Sequence, residues 1–265
     1  MKRINSFGTG HPWLFSLAAT LLFILIALAA SVLGRLWPDS SDGSWVVGAA
    51  VRMVFIALLV LLLRGLGWLA SAGFTSLGRR QTWLISLPLL IYAIAASAYA
   101  MTRSFIFRPA QPIPAGLMAL FIFAAACLEE TVFRGLILHN LVRAWNGQAA
   151  GALRAVLVSS FFFAAMHLVN ILGGQPILDA ATQSLMAFFL GFFLGCLVLA
   201  GLSIYPAIFF HGMLNFAGFL NQSSYRGEWD AMSWLLLAAL LVPLAAAGYL
   251  MLRSSPVQAP VPDAV

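Results

Sequence analysis

At 265 residues, the chain is 62% hydrophobic and only 8% charged, with a mean hydropathy of +0.98. Soluble domains carry about 25% charged residues, so a water-soluble globular fold is excluded and an all-α, multi-span membrane protein is indicated. The net charge of +6 comes from 14 basic residues, all arginine except Lys2, scattered singly among loops and span ends; without a basic stripe no nucleic-acid partner is expected, and the distribution fits membrane topology instead.

Crossing a bilayer core takes about 20 apolar residues, and the sequence predicts eight such helices. Residues 1–12 form a cytoplasmic N-terminus. The first span, 13–33, begins in the run WLFSLAATLLFILIALAASVLG. That run is longer than the roughly 7–15 apolar residues of a signal peptide, so it is a retained span. The others are 45–63, 82–101, 114–142, 153–170, 181–201, 204–220 and 232–252. They are punctuated by turn-rich joints such as RLWPDSSDGS, FRPAQPIP and NQSSYRGEWD. The transmembrane domain is thus 13–252, and the Pro-rich tail 253–265 is expected to be disordered.

Orientation follows from the basic residues. With the N-terminus inside, Lys2, Arg3, Arg64, Arg79, Arg80, Arg143, Arg154 and Arg253 face the cytoplasm, against Arg35, Arg103, Arg108 and Arg226 outside. The positive-inside rule therefore puts both termini in the cytoplasm.

Asp39, Asp42, Asp179, Glu228, Asp230 and Asp263 fall in loops or the tail, leaving only Glu129 and Glu130 inside a predicted span. An ionisable group at membrane depth costs at least about 2.5–3.5 kcal/mol, which marks it as functional by default. Glu130 and Arg134 stand four apart with the acid first, the favourable order for a helical ion pair. Glu129 points about 100° away and is left for another task. Further polar groups sit on other apolar spans: His167, four residues after Phe163, and His211, four residues before Asn215. Unpaired, each would be costly in lipid, so these groups are expected to converge on one interior cavity.

Two chemistries fit. A carboxylate beside an imidazole can take a proton from water, while an imidazole and a carboxamide can hydrogen-bond a developing oxyanion. Alternatively Glu129, His167 and His211 could ligate zinc, leaving the fourth position to water. HExxH, GxSxG, GxGxxG and Walker-type loops are absent. Gly191 and Gly195 have the small-xxx-small spacing of close helix packing. Cys127 and Cys196 lie in apolar runs and read as buried thiols. His139 reads as an interfacial residue and His11 as a solvated one. The Phe-rich pieces fit either an acyl-chain slot or lipid-facing packing.

EExxxR at Glu129–Arg134, FxxxH at Phe163–His167 and HxxxN at His211–Asn215 occur in the order and at roughly the separations of the CPBP family. The sequence resembles that family, which comprises type II CAAX prenyl endopeptidases and bacteriocin-processing or immunity proteins. The motifs lie within the core 114–220. The resemblance implies an eight-helix intramembrane protease of a bacterial inner or plasma membrane, acting on a peptide or protein substrate that is prenylated or bacteriocin-like, with membrane lipid around it. Residue by residue, it implies that Glu129 and His167 activate water and that His211 and Asn215 hold the oxyanion. Glu130, Arg134 and Phe163 would be supporting residues. No cofactor is favoured, and zinc remains the alternative. The rival readings are a catalytically silent immunity or scaffold protein and a proton-coupled transporter using Glu129 as carrier; the transporter is disfavoured because no internal repeat is found.

Overall fold

In lipid, a long apolar segment can satisfy its backbone polar groups only by closing them within itself or around a barrel. The computed structural model describes residues 1–36, 41–95, 98, 115–222 and 231–254, and there the chain is helical without a strand. Arg103, Arg108, Arg226, Asp39, Glu228, Asp230, Asp263, most of the tail and the end of the expected 82–101 span lie outside the described residues.

Helix α1 is Lys2–Gly10, α2 is Pro12–Arg35, α3 is Ser41–Gly65 and α4 is Arg80–Ile85. Pro12 opens α2, where its missing N–H costs nothing. Helix α5 is α-helical over Ala115–Glu130, π-helical over Thr131–Leu138 and α-helical again over His139–Ala144. Helix α6 is Gly151–His167 with a 3₁₀ extension, Leu168–Gly173; α7 is Ile177–Gly201, α8 is Tyr205–Gln222 and α9 is Ala231–Ser254.

Five helical stretches among the described residues are long and apolar enough to cross a membrane: Pro12–Gly34, Gly43–Gly65, Gly116–Ala144, Gly151–Gly173 and Ile177–Gly201. Helix α8 carries His211, Asn215, Asn221 and Gln222, which dilute its hydropathy, and the described apolar part of α9 is the shorter Ala238–Ser254. The chain is therefore an integral, multi-pass, all-helical membrane protein, with five spans meeting that criterion rather than the eight expected.

Helix α5 is the central rod. It packs against α2, α3 and α8, and its π-helical stretch against α6. Helix α7 fits between α6 and α9, and Gly195 lets α7 close on α6, since a Cβ there would lie 3.1 Å from Val156. Leu25, Leu61 and Leu250 face outward, each more than half exposed, as a lipid-facing surface requires.

One end of the bundle is closed. Asn140 Nδ2 donates to the Gly8 carbonyl of α1 at 2.9 Å, and His139 Nε2 lies 3.1 Å from Ser71 Oγ. His139 is therefore buried under α1 and the 66–79 segment, not interfacial as its place near the span end suggests. That segment also seats α8. Gly73 accepts from Ile204 N at 3.1 Å, and Tyr205 Oη donates to the Phe74 carbonyl at 2.8 Å. Gly73 has φ +86° and a Cβ would come within 2.8 Å of Ile204 N, so only glycine fits. Raised on this platform, α8 starts inside the bundle, which brings His211 to the level of α5's midpoint.

Candidate active site

Helices α5 and α6 run antiparallel from the closed end. Counting from Ala144 back to Glu129, and from Gly151 forward to His167, puts both side chains roughly 22–24 Å along their helices. Glu129 and His167 therefore stand at a similar depth in the bundle.

At Glu130 the α-helix becomes π-helical. The i→i+5 bonding of such stretches is rare and concentrates at functional sites. Here it is held from outside by Ser159 Oγ of α6, which donates to the Phe133 carbonyl at 2.8 Å, and from within α5 by Thr131 Oγ1, which donates to the Cys127 carbonyl at 2.7 Å. All eight π-helical residues are buried.

Arg134 Nη1 lies 3.1 Å from Glu130 Oε1, with both side chains essentially inaccessible. The contact is a charge pair more than a hydrogen bond, because Nη1 does not aim its N–H along it. Arg134 Nη2 donates to the Gly191 carbonyl at 3.3 Å, and the guanidinium lies 4.3 Å from the centre of the Phe163 ring. Gly191 makes this possible, since a Cβ would sit 3.1 Å from Phe163 and 3.2 Å from Arg134 Nη2.

Glu130 reaches further than its own helix. His211 Nδ1 donates to Glu130 Oε1 at 2.7 Å, and Asn215 Nδ2 donates to His211 Nε2 at 3.0 Å. Glu129 Oε2 faces the same Nε2 from 3.5 Å, an electrostatic contact too long for a strong hydrogen bond. Asn215, His211, Glu130 and Arg134 thus form one continuous polar chain across α8 and α5, with Glu129 beside it and 14% exposed. The link from Glu130 to His211 is not visible in sequence spacing, because it depends on the register of α8 against α5.

His167 joins from the other side of Phe163. Its Nδ1 donates to the Phe163 carbonyl at 2.8 Å, which leaves Nε2 as an acceptor. The Phe163 ring stands edge-on between the two imidazoles, 5.0 Å from His167 and 5.6 Å from His211. Glu129, His211 and Arg134 are all within electrostatic reach of His167, but no hydrogen bond joins it to them among the described residues.

Glu129 Oε2 and Glu130 Oε2 are buried and accept no hydrogen bond from the protein. Such atoms carry a desolvation cost unless something polar meets them; of the two acids Glu129, at 14% exposure against 0% for Glu130, is the one that water or substrate can reach. The zinc set Glu129, His167 and His211 does not assemble. The Nδ1 bonds of His211 and His167 leave Nε2 as the nitrogen a metal would take, but among the described residues no three His, Cys, Asp or Glu side chains gather closely enough to hold a metal ion.

Cys196 is buried and Cys127 half-buried, both as free thiols. Of the FFF stretch, Phe161 faces outward while Phe162 and Phe163 pack inside.

The fold and this cluster define a class: polytopic helical membrane proteins with an acid–imidazole–amide centre inside the bundle. Residues 111–217 match the family model described as type II CAAX prenyl endopeptidase Rce1-like, which supports membership of the CPBP family. The matched segment carries all three motifs, and residues 1–110 lie outside it. No curated protein and no solved structure matches the chain at a significant level. The family is one of proteases.

Proposed function

We propose that the protein is an intramembrane endopeptidase in which Glu129 is the general base. The observation that carries this reading is the convergence of Glu129 Oε2 and Asn215 Nδ2 on one imidazole nitrogen, His211 Nε2, at 3.5 and 3.0 Å. Base and oxyanion donors are thus side by side. A water held between Glu129 and His167 Nε2 gives one proton to the Glu129 carboxylate while His167 accepts a hydrogen bond from the other. The resulting hydroxide adds to the scissile carbonyl carbon, and the carbonyl π electrons move onto oxygen. Asn215 Nδ2–H and His211 Nε2–H then face that oxyanion. Donation through Nε2 is made by the doubly protonated form of His211, whose two ring nitrogens face Glu129 and Glu130. Collapse of the intermediate expels the amine, which takes its proton from Glu129.

Glu130 and Arg134 position this machinery: Glu130 orients His211, and Arg134 balances the charge of Glu130. The apolar surroundings strengthen each of these interactions relative to water. In the same reading the transmembrane domain has eight spans, with α8, α9 and the helix entered at Arg80 added to the five long apolar ones. It lies in the inner or plasma membrane with both termini cytoplasmic, and the substrate is a prenylated CAAX-type or bacteriocin-like peptide. Incubating the purified protein in detergent with a panel of both peptide kinds, and reading fragments by mass spectrometry, tests the assignment. Site-specific fragments are expected; intact peptides throughout would overturn it in favour of a silent immunity or scaffold protein.

A further inference from the structure

A second charged group stands at membrane depth beside this centre and is not used by it. Arg52 lies within the apolar span Gly43–Gly65, half-buried. An intramembrane arginine is expected to pair with an acid, yet Arg52 has no ion pair among the described residues. Its guanidinium stacks 4.2 Å from the centre of the Phe121 ring, and Nη1 donates to the Gly48 carbonyl at 2.8 Å. The acid that acts on it electrostatically is Glu129, at longer range.

The surroundings of Arg52 are built from the helices that carry the active site. Phe121 is on α5, Phe219 is on α8, and Trp45 of α3 bridges them, with ring centres 4.7 Å from Phe121 and 5.4 Å from Phe219. Gly48 clears the space, because a Cβ there would come within 2.7 Å of Phe121 and 3.1 Å of Arg52 Nη1. Phe121 precedes Glu129 by eight residues and Phe219 follows His211 by eight, on antiparallel helices. Both therefore lie roughly 12 Å from the catalytic level, in the direction away from the closed end. An extended peptide covers that distance in about three to four residues.

We infer that Arg52, framed by Phe121, Trp45 and Phe219, is a subsite that binds a carboxylate of the substrate about three to four residues from the cleaved bond. The inference rests on the endopeptidase reading above. A bidentate carboxylate would supply the counter-charge that no ion pair among the described residues provides, and three aromatic rings would frame the pair. Two sources carry this chemistry, the C-terminus of the substrate and an acidic side chain.

The test uses three prenylated peptides identical except at the end: a free C-terminal carboxylate, its amide, and the amide with Asp as last residue. Their affinity for the Glu129→Gln protein in nanodiscs, and their cleavage by wild type, are both measured. The free acid, or the Asp amide if a side chain is the ligand, should bind about 10- to 100-fold more tightly than the plain amide. Arg52→Gln should bring that ratio close to one, and Arg52→Lys should keep part of it. Equal binding of all three peptides by the Glu129→Gln protein, binding of none, or an unchanged ratio in Arg52→Gln overturns the subsite. Should Arg52→Gln fail to fold, the ratios of the Glu129→Gln and Arg52→Lys proteins decide. Cleavage of acid and amide alike sinks the subsite and leaves the peptidase standing, whereas carboxylate-selective binding without cleavage does the reverse.

Discussion

Replacing Arg134 with methionine keeps much of the side-chain volume and removes the charge, stranding Glu130 where neither group meets solvent: their exposures are 1% and 0%. Breaking a buried pair by deleting one partner costs about 3–5 kcal/mol. Arg134 also gives up its bond to the Gly191 carbonyl and its stack on Phe163, so the upper part of that range applies. Glu130→Gln should cost a similar amount, because Arg134 is then the stranded charge and His211 loses its carboxylate. The double variant should fall short of the sum by about 1–3 kcal/mol, since each change has already broken the same contact. Intrinsic tryptophan fluorescence during thermal unfolding in detergent reads this directly, with a loss on the order of 10 °C for each single variant. If the two effects add to within about 0.5 kcal/mol, or if Arg134→Met is nearly neutral, Arg134 does not balance the buried charge of Glu130 and the positioning argument fails.

Asn215→Ala removes one of two oxyanion donors, so turnover should drop about 10²–10³-fold with KM little changed; a change confined to KM would make Asn215 a binding residue instead. Gly191→Val drives methyl groups into Phe163 and Arg134 Nη2, 3.1 and 3.2 Å from its Cβ position. It should lose about 1–3 kcal/mol of stability by overpacking, and unfolding at the wild-type temperature would contradict that geometry. Prolonged dialysis against a strong chelator should leave peptide cleavage unchanged, because the candidate zinc ligands do not assemble. Activity lost on chelation and restored by zinc would move Glu129 from base to ligand.

Much of the cluster was legible because lipid makes polar residues conspicuous. Glu129, His167, His211 and Asn215 stand out against apolar helices, and four-residue spacings disclosed the Glu130–Arg134 and His211–Asn215 pairs. What spacing could not carry was the register between helices. The 2.7 Å bond from His211 to Glu130 depends on where α8 starts, and that is set by Gly73 and Phe74 in a segment without a motif. The π-helical stretch was equally hidden, since its support comes from Ser159 on another helix. Arg52 falls within the expected span 45–63, but its aromatic frame exists only once α3, α5 and α8 meet. His139 was misplaced for a related reason: residue counting puts it near a span end, and it cannot register that α1 and the 66–79 segment fold over that end.

The most direct test is to compare wild type with Glu129→Gln, purified in detergent, on a prenylated CAAX-type peptide, with the unfolding temperature of each recorded alongside. Glutamine keeps the shape of the side chain and cannot take a proton from water, so cleavage should fall about 10²–10⁴-fold while the unfolding temperature stays close to wild type. Cleavage by Glu129→Gln at the wild-type rate would contradict the assignment of Glu129 as the base.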